Sequence, residues 1–130
     1  MFETTKAFSG FAVNDIAAAK DFYGNTLGLR VSDADGLLTL HIEGDRDILV
    51  YPKPDHTPAT FTILNFPVHD IEDAIEELSR KGVRFERYPQ FDAEMGDKNI
   101  FRGGGPPIAW FTDPAGNVLS VLEEQQLVSS

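Results

Sequence analysis

The chain contains one apolar stretch twice, and this repeat constrains its fold more than any other feature. The first copy spans residues 8–16 and the second spans residues 63–71, with Asp15 and Asp70 at matching positions. Each copy is an apolar, strand-like run that ends in Asp and leads into an amphipathic helix. Because self-similarity at a fixed spacing is typical of duplicated structural units, the repeat predicts two copies of one supersecondary unit.

The elements that follow each copy also repeat. Asp15 and Asp70 are predicted helix N-caps, because an Asp side chain at this position accepts a hydrogen bond from a free backbone N–H. Apolar residues at helical spacing then predict helices that end at Gly28 and Gly82, since glycine adopts the left-handed conformation of a helix end at least cost. The apolar runs that predict strands are residues 6–13, 29–31, 37–43 and 48–51 in the first copy and 60–68, 83–88, 99–102, 108–112 and 118–123 in the second.

This order of elements predicts an α+β fold built of two βαβββ modules. We expect a single domain over residues 1–130, with module 1 at about 4–55, a proline-rich linker, and module 2 at about 58–125. Because neither half covers its sheet alone, the modules are expected to form a curved mixed sheet with helices on its convex face and a concave cleft. The tail after Glu124 is expected to be frayed.

Composition excludes several classes of function. The net charge of −10 argues against nucleic acid and anionic membranes as partners, since both need clustered Lys and Arg, whereas a cationic ligand is favoured. The absence of cysteine excludes disulfides, thiolate metal sites and cysteine nucleophiles, and it fits a reducing cytoplasm. The first residues do not resemble a signal peptide, and no stretch approaches the roughly 20 apolar residues of a membrane span. We therefore expect a cytoplasmic protein.

Three short motifs make the chain similar to a known superfamily. They are residues 22–29 after the first helix, residues 78–83 after the second, and the Asp-Pro-Ala-Gly-Asn turn at 113–117. With the order of elements over about residues 6–124, they resemble the vicinal oxygen chelate superfamily. That group includes glyoxalase I, extradiol dioxygenases, fosfomycin-resistance transferases and bleomycin-resistance proteins. The resemblance implies the glyoxalase/bleomycin resistance-like fold and a homodimer, and one fold of this kind serves several chemistries.

Metal-dependent members of this superfamily carry four ligands, and the resemblance places them here at Phe8, about Leu49, Ile63 and Ser120. Phenylalanine, leucine and isoleucine offer no lone pair, and a neutral serine hydroxyl is a poor substitute for a carboxylate on a hard divalent cation. We therefore expect no metal ion and no other cofactor. The metal-dependent chemistry of glyoxalases and dioxygenases is not expected either.

Polar side chains opposite the predicted helix-facing leucines are candidate ligand contacts. His41 shares a strand face with Thr39 and Glu43, and in the expected cleft it could bind a ligand or act as an acid or base. Tyr51 and Lys53 alternate onto one face of the next strand, where Tyr51 is predicted to line the cleft and Lys53 its rim. Simple packing is the alternative for Tyr51.

Aromatic side chains form the second group of candidates. Their ring faces could stack on a flat ligand and could attract a cation, although hydrophobic core is the alternative for each. With Ser120 at a lost ligand position, the full set of predicted ligand contacts is Phe8, Thr39, His41, Tyr51, Lys53, Phe91, Phe101, Trp110 and Ser120.

The sequence predicts a metal-free small-molecule-binding protein of the glyoxalase/bleomycin-resistance type, which binds or sequesters an aromatic or cationic organic ligand. Sequestration needs no nucleophile, and no residue pattern in the chain indicates one. The alternative is a lyase, isomerase or dioxygenase that uses His41, Glu43 and Tyr51, or a relocated metal at His41, Glu43 and His56. A regulatory domain without a small ligand is a third possibility.

Overall fold

The computed structural model describes residues 1–124. The chain divides into two compact units, Met1–Thr57 and Pro58–Ser130, which we call the first and second units. The tail that was expected to be frayed lies outside the described residues. None of the helices within residues 1–124 is long and apolar enough to cross a membrane.

The first unit carries a four-stranded mixed sheet and one helix. Its strand order is β1-β4-β3-β2, with β1 parallel to β4 and the other neighbours antiparallel. The helix follows β1 and continues into a π-helical turn. The elements are β1 (Ser9–Val13), α1 (Ile16–Asp21), the π-helical turn (Phe22–Thr26), β2 (Arg30–Ala34), β3 (Leu37–His41) and β4 (Ile48–Pro52).

The second unit repeats this plan with one strand fewer. Its sheet has the order β5-β7-β6, with β5 parallel to β7 and β6 antiparallel to β7. A 3₁₀ turn and a short helix precede β6. The elements are β5 (Thr62–Val68), α2 (Ile71–Arg80), the 3₁₀ turn (Pro89–Phe91), α3 (Asp92–Met95), β6 (Ile108–Thr112) and β7 (Val118–Glu123). The predicted α+β fold of two βαβββ-like units is confirmed.

The strand predicted at residues 83–88 does not form as a regular strand. Phe85 makes an isolated bridge with Phe111, and the Glu86 N–H donates to the Trp110 carbonyl at 2.7 Å. Beyond this point the Arg87 guanidinium binds the Asp92 carboxylate and the backbone carbonyl of Gly96. These contacts hold the chain in the 3₁₀ turn and α3, so it leaves the edge of the sheet.

The predicted helix caps are confirmed in both units. Oδ1 of Asp15 accepts from the Ala18 N–H at 3.0 Å, and Oδ1 of Asp70 accepts from the Asp73 N–H at 3.1 Å. Gly82 lies just after the end of α2 and has a φ of +91°. Its N–H donates to the carbonyl three residues back, at 3.0 Å, so that a left-handed residue satisfies a terminal carbonyl.

Each helix covers one face of its own sheet. In the first unit Phe11 of β1 contacts Tyr23, with 5.7 Å between ring centroids, and Tyr23 is fully buried. In the second unit Ile71 of α2 is buried, and its N–H donates to the Glu123 carboxylate of β7. The apolar residues buried in the central strands of the two sheets include Leu38, Leu40, Val50, Ala109, Phe111, Leu119 and Val121. The opposite face of each sheet is left for other side chains.

We predict that Asp70→Ala lowers the free energy of unfolding by about 1 kcal/mol, because the Asp73 N–H loses its acceptor at the start of α2. Asp70→Asn is the matched control, since its side-chain oxygen can still accept the bond. Urea denaturation of the full chain measures both variants. Equal destabilisation by Ala and Asn would contradict the capping role.

Candidate functional site

Polar side chains gather on the face of the first sheet opposite α1. The register pairs Arg30 with His41 and Ser32 with Thr39 across β2 and β3. Residues directly opposite on antiparallel strands point to the same side of the sheet. The face that carries Leu38 is the one that α1 covers, so these four polar side chains share the other face.

His41 joins Ser32 and Asp47 in a chain of hydrogen bonds. Nε2 of His41 lies 2.6 Å from Oγ of Ser32, and Nδ1 lies 3.2 Å from Oδ1 of Asp47. The His41 side chain is 22% exposed and that of Asp47 is 53% exposed. Ser32 on β2 is exposed as well, so solvent reaches the whole group.

The chemistry of the three groups assigns the direction of these bonds. An ionised carboxylate can only accept a hydrogen bond. Nδ1 of His41 therefore carries a hydrogen atom and donates a hydrogen bond to Asp47. In the neutral ring Nε2 is then the acceptor, and the Ser32 hydroxyl donates to it. This assignment follows from the hydrogen-bond network. In this tautomer Nε2 of His41 accepts the hydrogen bond from Ser32.

The other predicted contacts of the first unit occupy separate positions. Tyr51 on β4 is 40% exposed, and Phe8 before β1 is 70% exposed. Lys53 follows β4 and forms an ion pair with Asp55 at 2.7 Å, which lowers the pKa of the Asp55 carboxyl. Glu43 was predicted to share a strand face with His41, but it lies outside β3. It lies in the turn after β3, because the next two residues adopt positive φ angles and end the strand.

An aromatic groove opens on the second unit. Trp110 lies at its base, and its ring contacts Tyr88 at 5.4 Å and Phe101 at 6.0 Å between centroids. Phe101 in turn contacts Phe91 at 4.9 Å. The groove has a volume of about 240 Å³, and its lining residues are Thr60, Phe61, Thr62, Tyr88, Gln90, Phe91, Trp110 and Val118. The structure therefore brings together three of the predicted aromatic residues.

Local structure holds these rings in place. Nε1 of Trp110 donates to Oγ1 of Thr62 at 3.1 Å, which fixes the indole on the face opposite the buried Phe111. A Cβ atom at Gly103 would collide with the Phe101 ring. The glycine run that follows Phe101 thus allows the close approach of ring and backbone, which any larger residue would prevent.

Tyr88 also lines the groove, although the sequence analysis did not predict it as a ligand contact. Burial and, to a smaller extent, the neighbouring charge of Glu86 raise its pKa above the ordinary value of 10.0. Both causes disfavour the phenolate. Since the unfolded chain ionises first, the free energy of unfolding decreases as the pH rises above 10.0.

The positions that resemble the family's metal ligands carry no ligand set. Ser120 is fully buried, and its hydroxyl donates to Oδ1 of Asn65. Phe8, Leu49 and Ile63 offer only carbon atoms. Within residues 1–124, no group of three or more His, Asp or Glu side chains is arranged to hold a metal ion. The donor set that this chain presents there does not fit a divalent cation.

Each unit has parallel first and last strands, with a helix directly after the first strand. This repeated arrangement defines a glyoxalase-like fold. Residues 7–121 match the Glyoxalase/Bleomycin resistance protein/Dioxygenase superfamily, and the chain belongs to this family. The predicted resemblance is thereby confirmed. A comparison with curated protein sequences found no match.

Solved structures share the fold over nearly the full chain. The glyoxalase family protein from Enterococcus faecalis is 21% identical with a TM-score of 0.71, over 95% of this chain and 100% of that chain. TnmS3, an antibiotic binding protein from a Streptomyces species, is 21% identical with a TM-score of 0.67, over 94% and 98%. The fosfomycin resistance protein FosX from Listeria monocytogenes is 11% identical with a TM-score of 0.70, over 95% of each chain. At these identities the similarity establishes the fold alone.

We predict that Glu86→Gln lowers the pKa of Tyr88 but leaves it above 10.0, because burial is the larger cause of the shift. An ultraviolet difference titration against Tyr88→Phe separates this group from Tyr23 and Tyr51. Glu77→Gln on the exposed side of α2 is the control and should leave the titration unchanged. A titration of Glu86→Gln that equals that of the unmodified protein would show that the charge has no effect.

Proposed function

We propose that this protein binds a small aromatic or cationic organic molecule in the aromatic groove without a metal ion. The observation that carries the proposal is Trp110 at the base of an open groove edged by Tyr88 and Phe91. A groove of about 240 Å³ is somewhat smaller than the roughly 300–1,000 Å³ of drug-sized sites. It suits a compact ligand or one aromatic ring system of a larger ligand.

The side chains of the groove support an aromatic ligand. The rings of Tyr88 and Trp110 meet edge to face at an interplanar angle of 69°. Offset and edge-to-face contacts between rings contribute roughly 0.5–1.5 kcal/mol beyond the burial of area. Phe91 is 38% exposed, so a ligand can cover it and remove apolar surface from water. Thr60 and Gln90 add polar groups that could orient the ligand.

Charge supports a cationic ligand in the same place. The chain has a net charge of −10, and Glu86 lies close enough to Tyr88 to raise its pKa. A cation over the face of an indole or phenol ring gains roughly 0.5–2 kcal/mol. A flat ligand with one positive charge therefore meets both kinds of favourable contact.

The family and its fold are compatible with this function. A protein of the same fold, TnmS3, is an antibiotic binding protein, so the scaffold can present a binding site for an organic molecule. An antibiotic is thus a reasonable class of ligand to test first. The proposal also includes the cytoplasmic location expected from composition and the homodimer expected from the family, the latter tested by sedimentation equilibrium.

Fluorescence provides a direct test, because Trp110 is the single Trp of the chain. We predict that a planar aromatic cation changes the Trp110 emission saturably, that a chelator does not prevent this, and that an isosteric anion binds more weakly. Phe91→Ala should weaken binding about 5-fold, since one ring contact is worth about 1 kcal/mol.

Phe2→Ala is the matched control, since Phe2 is 77% exposed and lies in the first unit. Its affinity should equal that of the unmodified protein. Binding that appears only after addition of a divalent metal would contradict the proposal. Equal weakening by both Phe variants would contradict the location of the site.

A further inference from the structure

We propose that Ser32 is an activated nucleophile and that the first unit carries an acyl-transfer site for small activated carboxylic esters. The site consists of Ser32, His41, Asp47 and Arg30 on the open face of the first sheet. It lies within the first unit, whereas the aromatic groove lies within the second. It shares no residue with the groove of the proposed ligand binding and goes beyond that proposal.

The hydrogen bonds have the order that nucleophilic catalysis requires. The Ser32 hydroxyl donates to Nε2 of His41 at 2.6 Å, which is within reach of proton transfer. The carboxylate of Asp47 accepts from Nδ1 at 3.2 Å, which holds the ring in the tautomer that leaves Nε2 free to act as a base. A nucleophile, a base and a group that orients the base define an activated hydroxyl on any fold.

Burial does not explain this arrangement. Ser32 and Asp47 are exposed, so water could satisfy both groups without His41. The three residues come from β2, β3 and the segment before β4. The geometry instead leaves Oγ of Ser32 open to a reactant from solvent.

Arg30 supplies the positive charge that the reaction needs. It lies on the same strand and face as Ser32 and directly opposite His41. No ion pair within residues 1–124 engages Arg30. Its guanidinium can therefore donate to the carbonyl oxygen of an ester as that oxygen becomes negative in the transition state.

The reaction balances with water as the second reactant. Oγ of Ser32 attacks the acyl carbon and forms a C–O bond, while its proton passes to Nε2 of His41. The bond from the acyl carbon to the leaving oxygen then breaks, and His41 returns the proton to that oxygen. Water, deprotonated by His41, attacks the acyl-serine, so that the carboxylic acid and the free Ser32 hydroxyl form.

The test uses the full chain and para-nitrophenyl acetate. We expect release of para-nitrophenolate and an intact mass that increases by one acetyl group, which peptide mapping places on Ser32. Ser32→Ala and His41→Asn should each lower the rate at least about 100-fold, the usual contribution of a positioned general base. Circular dichroism confirms that each variant is folded.

Asp47 acts through His41 and is a positioning residue, so its test needs a separate readout. Asp47→Asn should lower kcat about 10-fold or more, because the His41 ring is no longer held in the tautomer that acts as a base. KM should stay unchanged, because Asp47 does not contact the ester. Asp47→Glu keeps a carboxylate and should recover part of the loss. Asp45→Asn in the same loop should leave kcat unchanged.

Two control variants make the same substitutions at exposed residues outside the site. They are Ser79→Ala on α2 and His69→Asn before α2. Both should retain the rate of the unmodified protein. The proposal is overturned if the unmodified protein is not acetylated, if the acetyl group lies on another residue, or if Ser32→Ala retains the rate. It is also overturned if His41→Asn is acetylated at Ser32 as fast as the unmodified protein.

Discussion

Parallel pairing of the first and last strands is the constraint on which each unit depends. β1 pairs with β4, and β5 pairs with β7. Parallel neighbours cannot be joined by a tight turn, so a longer connection is needed. That connection contains the helix and the strands between, which are β2 and β3 in the first unit and β6 in the second. The same closing bond appears in both units, from Lys53 N–H to the Val13 carbonyl at 2.8 Å and from Glu124 N–H to the Val68 carbonyl at 2.7 Å. The crossover helix covers one sheet face and leaves the other for function.

The two open faces have diverged although the scaffold repeats. The first presents a polar group around His41, and the second presents rings around Trp110. Function on such a scaffold depends on side chains and not on the fold, so the two units of one chain can present different groups of side chains. The positions that resemble the family's metal ligands include Phe8 and Ser120. The Ser120 hydroxyl donates a hydrogen bond to Asn65.

The contact between Ser32 and His41 could be predicted only from the pairing register of β2 and β3. Asp35 and Gly36 connect β2 to β3, and both residues have positive φ, which is typical of a two-residue hairpin. Assigning that turn type would have placed Ser32 opposite Thr39 and diagonal to His41, and so would have indicated the contact between Ser32 and His41. Tyr88 was missed for another reason. The contacts of Arg87 with Asp92 and Gly96 end the predicted strand, and the alternation of apolar residues does not show them.

The sequence by itself determined the repeat, the Asp caps, the glycine helix ends and the absence of ligating atoms at the metal positions. These features depend on local backbone preferences or on side-chain chemistry alone, which the residue type sets. Only the tertiary structure decided that Asp47 reaches His41, that Phe101 packs on Trp110 and that Glu43 leaves its strand. Such contacts depend on strand register, on turn geometry or on where a strand ends, and residue type alone sets none of these.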